Sequence, residues 1–219
     1  MSQACPGGLE AAAPVAHGAD GEPSGLAPMP VAAPASLETR SHPQRWWILS
    51  AVAVGTLMAP LDGSIVSIAL PAITADLRAA LTTVEWVAAG YLLVISSLLL
   101  MWGRLADLYG HRPVYLSGFA VFGLGSALCG AAPTVGWLIA FRMVQAAGAG
   151  MMMATGPAIV ADSFGPQERA RALGVNTMVV ALGLALGPVL GGFLTRQLGW
   201  RWIFYVNLPV AAAGILWAA

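Results

Sequence analysis

The chain has 219 residues, of which 58% are hydrophobic and 9% are charged, and its mean hydropathy is +0.76. A soluble domain carries about 25% charged residues, so this composition excludes a soluble globular protein and predicts an integral membrane protein. The formal net charge is zero, and all 10 basic residues are arginines. Because no basic run could hold a phosphate backbone, we do not expect nucleic acid as a partner.

The first 44 residues are rich in alanine, proline and glycine and show no helical or strand period. Such a segment cannot bury enough apolar surface to fold, so residues 1–44 are predicted to be a disordered tail. We expect no signal peptide, because the start is not basic and no apolar run follows it. The two cysteines, Cys5 and Cys129, lie far apart and show no metal-binding or redox spacing.

Six later segments are apolar enough to cross about 30 Å of hydrocarbon as helices, which requires about 20 residues each. They cover residues 46–70, 84–102, 114–132, 135–161, 172–194 and 202 to the end. The connections are short, so successive helices are expected to be antiparallel neighbours. Residues 45–219 are therefore predicted to form an all-α membrane domain of six transmembrane helices surrounded by lipid.

The arginines predict the orientation of these helices, because short cytoplasmic loops carry the excess of positive charge. One side of the membrane receives Arg40, Arg45, Arg104, Arg112, Arg169 and Arg171. The other side receives Arg78, Arg196 and Arg201. The N-terminus, and with it the predicted tail, is therefore expected in the cytoplasm.

The first span contains a carboxylate, Asp62, within the sequence LDGSIVSIALP at 61–71. A charge costs about 3 kcal/mol at the centre of the hydrocarbon, so Asp62 is a functional candidate that faces the bundle interior or a water-filled cavity. The alternative is a helix-end Asp satisfied by Ser64 or by a neighbouring backbone group. Glu85, at the outer end of the second span, is expected to be solvated.

A charged segment, GRLADLYGHR at 103–112, separates the second and third spans. Its charges cannot lie in hydrocarbon, so it is predicted to form a tight turn outside the bilayer, in which Gly103 and Gly110 let the backbone bend. Asp107 is expected to pair with Arg112 or to face a helix N-terminus. An ordinary loop that stops translocation would also explain these residues.

The fourth span contains a second charge, Arg142, at the start of RMVQAAGAG at 142–150. Small residues follow it at every fourth position, so Arg142 shares a helix face with a stripe that allows close packing. The side chain is therefore predicted to point inward. A snorkelling arginine is the alternative.

The fifth span contains a run of small residues, GLALGPVLGG at 183–192, which ends on Gly192. Gly183, Gly187 and Gly191 lie on one helix face, where a neighbouring backbone can approach closely. Pro188 removes a helical hydrogen bond and is expected to bend the helix. Ordinary helix packing would also explain glycines at this spacing.

Five motifs together resemble the major facilitator superfamily, and in particular its fourteen-span drug:proton antiporters of the EmrB/QacA type. They are the segments 61–71, 103–112, 142–150 and 183–192, and GWRWIFYVNLP at 199–209. The resemblance implies that the six helices form the N-terminal repeat of a major facilitator fold in the plasma membrane.

The resemblance also implies roles for these residues. Asp62 would exchange a proton or meet a cationic substrate in a central cavity, and Arg142 would bias that exchange. In the 103–112 segment, Asp107 would latch one conformation against the opposite half of the transporter. The helix at 183–192 would bend as the two halves rock about the central site.

The implied activity is proton-coupled export of drugs or other lipophilic or cationic small molecules, driven by the proton gradient without a cofactor or metal. Export of an endogenous metabolite or antibiotic is one alternative, and a non-transporting membrane fragment that binds a partner is another. The chain stops at the sixth span, so a missing C-terminal half, or self-association in its place, is also expected. No pairing of Ser with His, HExxH sequence or paired acids lies in the spans, and His17, His42 and His111 are all expected outside the hydrocarbon, which argues against an intramembrane enzyme.

Overall fold

The computed structural model describes residues 44–218, and these residues form seven helices. The helices are α1 (Gln44–Leu77), α2 (Leu81–Tyr109), α3 (His111–Gly130), α4 (Val135–Ser163), α5 (Pro166–Gln197), α6 (Trp202–Tyr205) and α7 (Asn207–Ala218). The predicted disordered tail at 1–44 lies outside the described residues, except for Gln44, which begins α1.

Five of the helices, α1 to α5, are long and apolar enough to cross a membrane. The prediction of an all-α fold is confirmed. Five of the six predicted spans are single helices in the described part of the chain, and each extends beyond the bounds predicted for it at one end or at both. A spanning helix can continue past the hydrocarbon into water with polar side chains. Hydropathy therefore predicts the hydrocarbon boundary and not the end of the helix.

The sixth predicted span is divided into two helices. The four residues of α6 and the twelve of α7 are separated by Val206, and the apolar stretch Trp202–Ala218 is shorter than the other five. Pro209 accounts for the division, because its ring lacks an N–H and clashes with the carbonyl four positions earlier, that of Tyr205 at the end of α6. Asn207 is thereby placed at the first position of α7.

The prediction of a tight turn over 103–112 is wrong in its extent. The helix α2 continues through Gly103 and Asp107, Gly110 alone forms the connection, and α3 begins at His111. At Gly110 the backbone has φ +94°, a conformation that favours glycine. The 29 residues of α2 rise about 43 Å, which exceeds about 30 Å of hydrocarbon, so its charged end can remain helical in water.

The buried apolar residues form two clusters that meet halfway along the bundle. In α1, Ala59 belongs to the first cluster and Ile65 to the second. In α4, Ala146 belongs to the first cluster and Leu138 to the second. The turns of α1 and α4 between these residues carry polar side chains, so the candidate site lies at the junction of the two clusters.

Candidate functional site

The two charges predicted inside the spans form an ion pair in the middle of the bundle. Asp62 lies midway along α1 and Arg142 lies in the third turn of α4. Arg142 Nη1 donates to Asp62 Oδ2, and each residue is 1% exposed. Burial of either charge alone would be very costly, so the pair explains why both side chains can point inward.

Two carboxamides complete the coordination of the Asp62 carboxylate. Gln145 Nε2 donates to Asp62 Oδ1 at 3.1 Å, and Asn207 Nδ2 donates to the same oxygen at 2.7 Å. Gln145 lies one helical turn after Arg142 and also accepts a hydrogen bond from Arg142 Nη1 on its Oε1, at 2.7 Å. Both carboxylate oxygens therefore accept hydrogen bonds from protein groups.

A serine hydroxyl holds the two carboxamides in place. Ser126 of α3 accepts a hydrogen bond from Gln145 Nε2 at 3.0 Å and one from Asn207 Nδ2 at 3.1 Å. Its own proton is donated to the carbonyl oxygen of Phe204 at 3.0 Å. The close approach of α3 makes this contact possible, since a Cβ on Gly125 would lie 2.6 Å from the backbone nitrogen of Gln145.

The guanidinium of Arg142 is enclosed by α2 and α6. Its Cζ lies 3.9 Å from the centre of the Tyr91 ring and 5.7 Å from that of Phe204, as in cation–π contacts. Its Nε donates to the carbonyl of Val87 at 3.4 Å. Its Nη2 is buried without a hydrogen-bond partner among the described residues. Burial removes this N–H group from water, and the contact between the guanidinium and the face of the Tyr91 ring partly compensates that loss.

This arrangement links a proton to an ion pair. While Asp62 is ionised, it accepts from Arg142 and from two carboxamides, and the buried charges cancel. A proton on Asp62 would remove the negative charge and leave Arg142 with a buried, unbalanced charge. Protonation must therefore be accompanied by movement of Arg142, by entry of water or by arrival of another anion.

The small-residue stripe of α5 lies directly against this part of α1. A Cβ on Gly183 would lie 3.0 Å from the carbonyl oxygen of Leu57, and one on Gly191 would lie 3.0 Å from that of Ile65. A Cβ on Gly187 would lie 2.4 Å from Ser64 Oγ. Side chains at these three positions are therefore excluded by close helix packing, and Asp62 is held on the segment of α1 that this packing fixes.

Gly192 and Pro188 belong to the 183–192 segment but have other roles than the three glycines that contact α1. A Cβ on Gly192 would meet nothing within 4 Å, so this glycine lies off the contact face. Pro188 lies inside α5, and the carbonyl that it leaves without a helical donor, that of Leu184, accepts from Ser64 Oγ at 3.1 Å. The alternative in which Ser64 satisfies Asp62 is therefore not what the structure contains.

The residues of the 103–112 segment lie apart from the ion pair. Asp107 is about 24 Å along α2 from Tyr91, and its carboxylate is 3.7 Å from Nε2 of His111. Arg112 Nε donates to the carbonyl of Ala218 at 3.1 Å. Gly103 has open space where a side chain would be. This group is thus a separate cluster at the end of α2.

Three residues of the site were not predicted from the sequence. They are Ser126, Gln145 and Asn207. Gln145 and Asn207 stand inside two of the motifs, but a buried amide or hydroxyl costs much less than a buried charge and is no signal by itself. Their position inside motifs that also carry, or lie near, the two charges was the signal that could have found Gln145 and Asn207.

The fold is similar to those of solved membrane transporters. The proton:xylose symporter XylE, bound to 6-bromo-6-deoxy-D-glucose, aligns with a TM-score of 0.70 at 16% identity, over 80% of this chain and 44% of that one. A bacterial homologue of the human lysosomal transporter Spinster, inward-facing and unoccupied, aligns with a TM-score of 0.64 at 20% identity, over 81% and 42%. The described helices therefore share the fold of part of each of these two chains.

Sequence comparison gives the family. Residues 52–219 match the Major Facilitator Superfamily, and the chain belongs to that family. It is accordingly a multi-pass membrane protein of a transporter family and not an enzyme. The prediction of this superfamily is thus confirmed at family level.

Curated relatives within the family include transporters and resistance proteins. The riboflavin transporter RibZ of Clostridioides difficile is 38% identical over 78% of this chain and 38% of its own length. The tetracenomycin C resistance and export protein of Streptomyces glaucescens is 37% identical over 89% and 35%, and the multidrug transporter MdtP of Bacillus subtilis is 36% identical over 80% and 32%. The chain therefore spans only about a third of the length of these relatives.

Proposed function

We propose that this chain is the N-terminal six-helix part of a proton-driven exporter of the fourteen-span drug:proton antiporter branch. The exporter would carry drugs or other lipophilic or cationic small molecules out across the plasma membrane, with the N-terminus of the chain in the cytoplasm. Relatives named as multidrug and antibiotic-resistance proteins support the substrate class. The five motifs support the branch.

The single observation that carries the proton coupling is the buried pair of Asp62 and Arg142. Asp62 would take up a proton from the outer side, and the loss of its negative charge would release Arg142 from the pair. The helix at 183–192 would then bend as the two halves of the transporter rock, and the segment of α1 packed on its glycine stripe would move with it. Release of the proton to the cytoplasm would restore the pair and complete the cycle.

A second candidate, export of a particular antibiotic or metabolite, is supported by a different observation. Asp62 is 1% exposed within the described bundle, and its oxygens are occupied by protein donors. A substrate would therefore not meet the carboxylate directly, and its positive charge would be no requirement of the site. The names of the riboflavin transporter and of the tetracenomycin C export protein fit such a substrate.

The test is pH-driven efflux of a preloaded fluorescent lipophilic cation from right-side-out membrane vesicles that contain a transporter joining this chain to a C-terminal half. Asp62→Asn is expected to abolish efflux and to leave membrane insertion intact. Glu85→Gln is the matched control, because Glu85 is an exposed acid in the first turns of α2. Near-normal pH-driven efflux by Asp62→Asn would show that the proton is carried elsewhere.

The 219 residues alone are expected to insert into the membrane without transporting. Transporters of this type bind substrate between two six-helix halves, so one half lacks the second wall of the cavity. A parallel pair of these chains could supply that wall by self-association. Dye movement driven by a pH gradient in liposomes, above protein-free controls and lost on Asp62→Asn, would contradict the expectation.

A further inference from the structure

The Asp62 carboxylate has one oxygen that faces only N–H groups within the described residues. Its Oδ1 accepts from Gln145 Nε2 and from Asn207 Nδ2, at 3.1 and 2.7 Å. An ionised carboxylate accepts hydrogen bonds at both oxygens, whereas a protonated one must also donate. The surroundings of Oδ1 therefore favour the ionised carboxylate, and a proton placed there would point at a donor.

Ser126 fixes the orientation of both carboxamides. Each amide nitrogen has two protons, one directed at Asp62 Oδ1 and one at Ser126 Oγ. The Ser126 proton is already donated to the carbonyl of Phe204. If either carboxamide turned over, its oxygen would face a hydroxyl with no proton to give. Ser126 therefore keeps the amide nitrogens of Gln145 and Asn207 directed at Asp62.

The two carboxamides differ in how firmly they are held. The oxygen of Gln145 accepts from Arg142 Nη1 at 2.7 Å and from Cys129 Sγ at 3.7 Å, so both ends of this side chain are engaged. Asn207 has the shorter bond to Asp62 and comes from the first residue of α7, after the division of the sixth span. Asn207 therefore supplies its donor from a different helix than Arg142 and Gln145, both of which lie on α4.

The hydrogen bond from Asn207 can be distinguished from the effects of the charged and titratable groups near Asp62. Among residues 44–218, the titratable or charged groups that face Asp62 are Arg142 of α4, Tyr91 of α2 and Cys129 of α3. The glycine stripe of α5 lies against this part of α1, Asn207 of α7 contacts Asp62, and Phe204 of α6 contacts Arg142, and none of these side chains titrates. A change at Asn207 thus alters hydrogen bonding to Asp62 without altering the local charge.

We propose that Asn207, anchored by Ser126, is a positioning residue that sets the pH at which Asp62 takes up its proton. The inference rests on the proposed function, in which Asp62 is the proton-binding group. Loss of a donor to the ionised carboxylate raises the free energy of that form relative to the protonated form. Asp62 would then bind its proton at a higher pH.

The experiment follows the protonation of Asp62 directly in the purified chain in liposomes. Infrared difference spectra recorded as the pH is lowered contain the carbonyl band of a protonated carboxylic acid, and the part lost in Asp62→Asn belongs to Asp62. Asn207→Leu keeps the number and the branching of the side-chain heavy atoms and removes the donor. We expect it to raise the midpoint of the Asp62 band by about one to two pH units, the effect of one hydrogen bond to a charged group.

Two further variants make the result specific. Ser126→Ala removes the anchor and keeps both donors, so a smaller rise is expected, and this variant tests the proposal even if Asn207→Leu does not fold. Asn176→Leu is the matched control, because Asn176 is a buried asparagine of α5 that accepts from Thr56 Oγ1 at 2.9 Å. Its midpoint should equal that of the unchanged chain.

An unchanged midpoint in Asn207→Leu, or an equal rise in Asn176→Leu, would overturn the proposal. If the Asp62 band is absent from the unchanged chain over the whole pH range, its appearance in Asn207→Leu supports the proposal, and its absence from both overturns it. The proposed function fails by a separate result, retention of pH-driven efflux in Asp62→Asn. The two failures are therefore distinguishable.

Discussion

Ser64 of α1 donates a hydrogen bond to the carbonyl oxygen of Leu184 in α5, at 3.1 Å. In a regular helix this carbonyl would accept from the N–H four residues later, but that residue is Pro188, which has none. Gly187 provides the space, since a Cβ there would lie 2.4 Å from Ser64 Oγ. The Gly-Pro pair in α5 thus creates both an unpaired acceptor and the room for a donor from α1, two residues after Asp62.

Ser64→Ala should destabilise the contact between α1 and α5. The Leu184 carbonyl would lose its partner, which typically costs about 1 kcal/mol. The control is Ser67→Ala, because Ser67 is exposed and donates to Gly63 of its own helix, at 2.9 Å. Thermal unfolding in detergent should show a lower midpoint for Ser64→Ala than for Ser67→Ala. Equal midpoints would mean that the interhelical bond adds nothing to stability.

Gly187→Ala and Gly192→Ala should differ strongly, although both add one methyl group to the same helix. At Gly187 the new Cβ would lie 2.4 Å from Ser64 Cβ, so α1 and α5 must separate. At Gly192 the Cβ would meet nothing within 4 Å, and alanine favours a helix over glycine by about 0.5–1 kcal/mol. We expect a large loss of folded, monodisperse protein for Gly187→Ala and equal or greater stability for Gly192→Ala. The reverse order would contradict the packing described above.

The buried pair of Asp62 and Arg142 should show a large coupling energy in a double-mutant cycle. Removal of one partner leaves the other charge buried and costs about 3–5 kcal/mol, so Asp62→Asn and Arg142→Gln together should cost much less than their sum. Reversible unfolding in mixed micelles would measure the change in the free energy of unfolding for the two single variants and for the double variant. The comparison pair is Asp76 and Arg201, 2.8 Å apart with side chains 49% and 41% exposed, for which about 0.2–1 kcal/mol is expected. Similar coupling in both pairs would refute the argument from burial.

The arginine distribution predicts which ends of the helices face the cytoplasm, and single cysteines can test it. Gly165→Cys places the thiol before α5 where no atom lies within 4 Å, and Gln197→Cys places it at the exposed end of the same helix. In a background without Cys5 and Cys129, an impermeant maleimide should label position 197 from outside intact cells. Position 165 should react only in inverted vesicles. Labelling of position 165 in intact cells would reverse the predicted orientation.

The relation between sequence and structure is clearest at the two ends of α2. Hydropathy predicts a start at 84, three residues late, because the first turn carries polar side chains. It predicts an end near 102, before Gly103 and Asp107, whereas the helix continues to Tyr109. In both places the prediction follows the hydrocarbon boundary, since hydropathy measures the preference of a side chain for lipid over water and not where the backbone stops being helical.

The sequence by itself determined the family, the number of apolar segments and the two charges of the site. A charge within a long apolar segment costs enough to require a partner or water, so the residue types alone mark Asp62 and Arg142 as functional candidates. The glycines at 183, 187 and 191 are recognisable for a similar reason, because their spacing places them on one face of a helix whatever lies opposite.

Only the tertiary structure decided what surrounds the pair. Ser126, Gln145 and Asn207 lie on three different helices. Their donors reach Asp62 or one another because α4 and α7 pack against α1, and α3 packs against α4 and α7, in one particular register. That register depends on the sum of many small packing contacts between helices, none of which is visible as a local pattern. Asn207 likewise becomes part of the site only because α7 packs beside α1, so that its carboxamide reaches the Asp62 carboxylate.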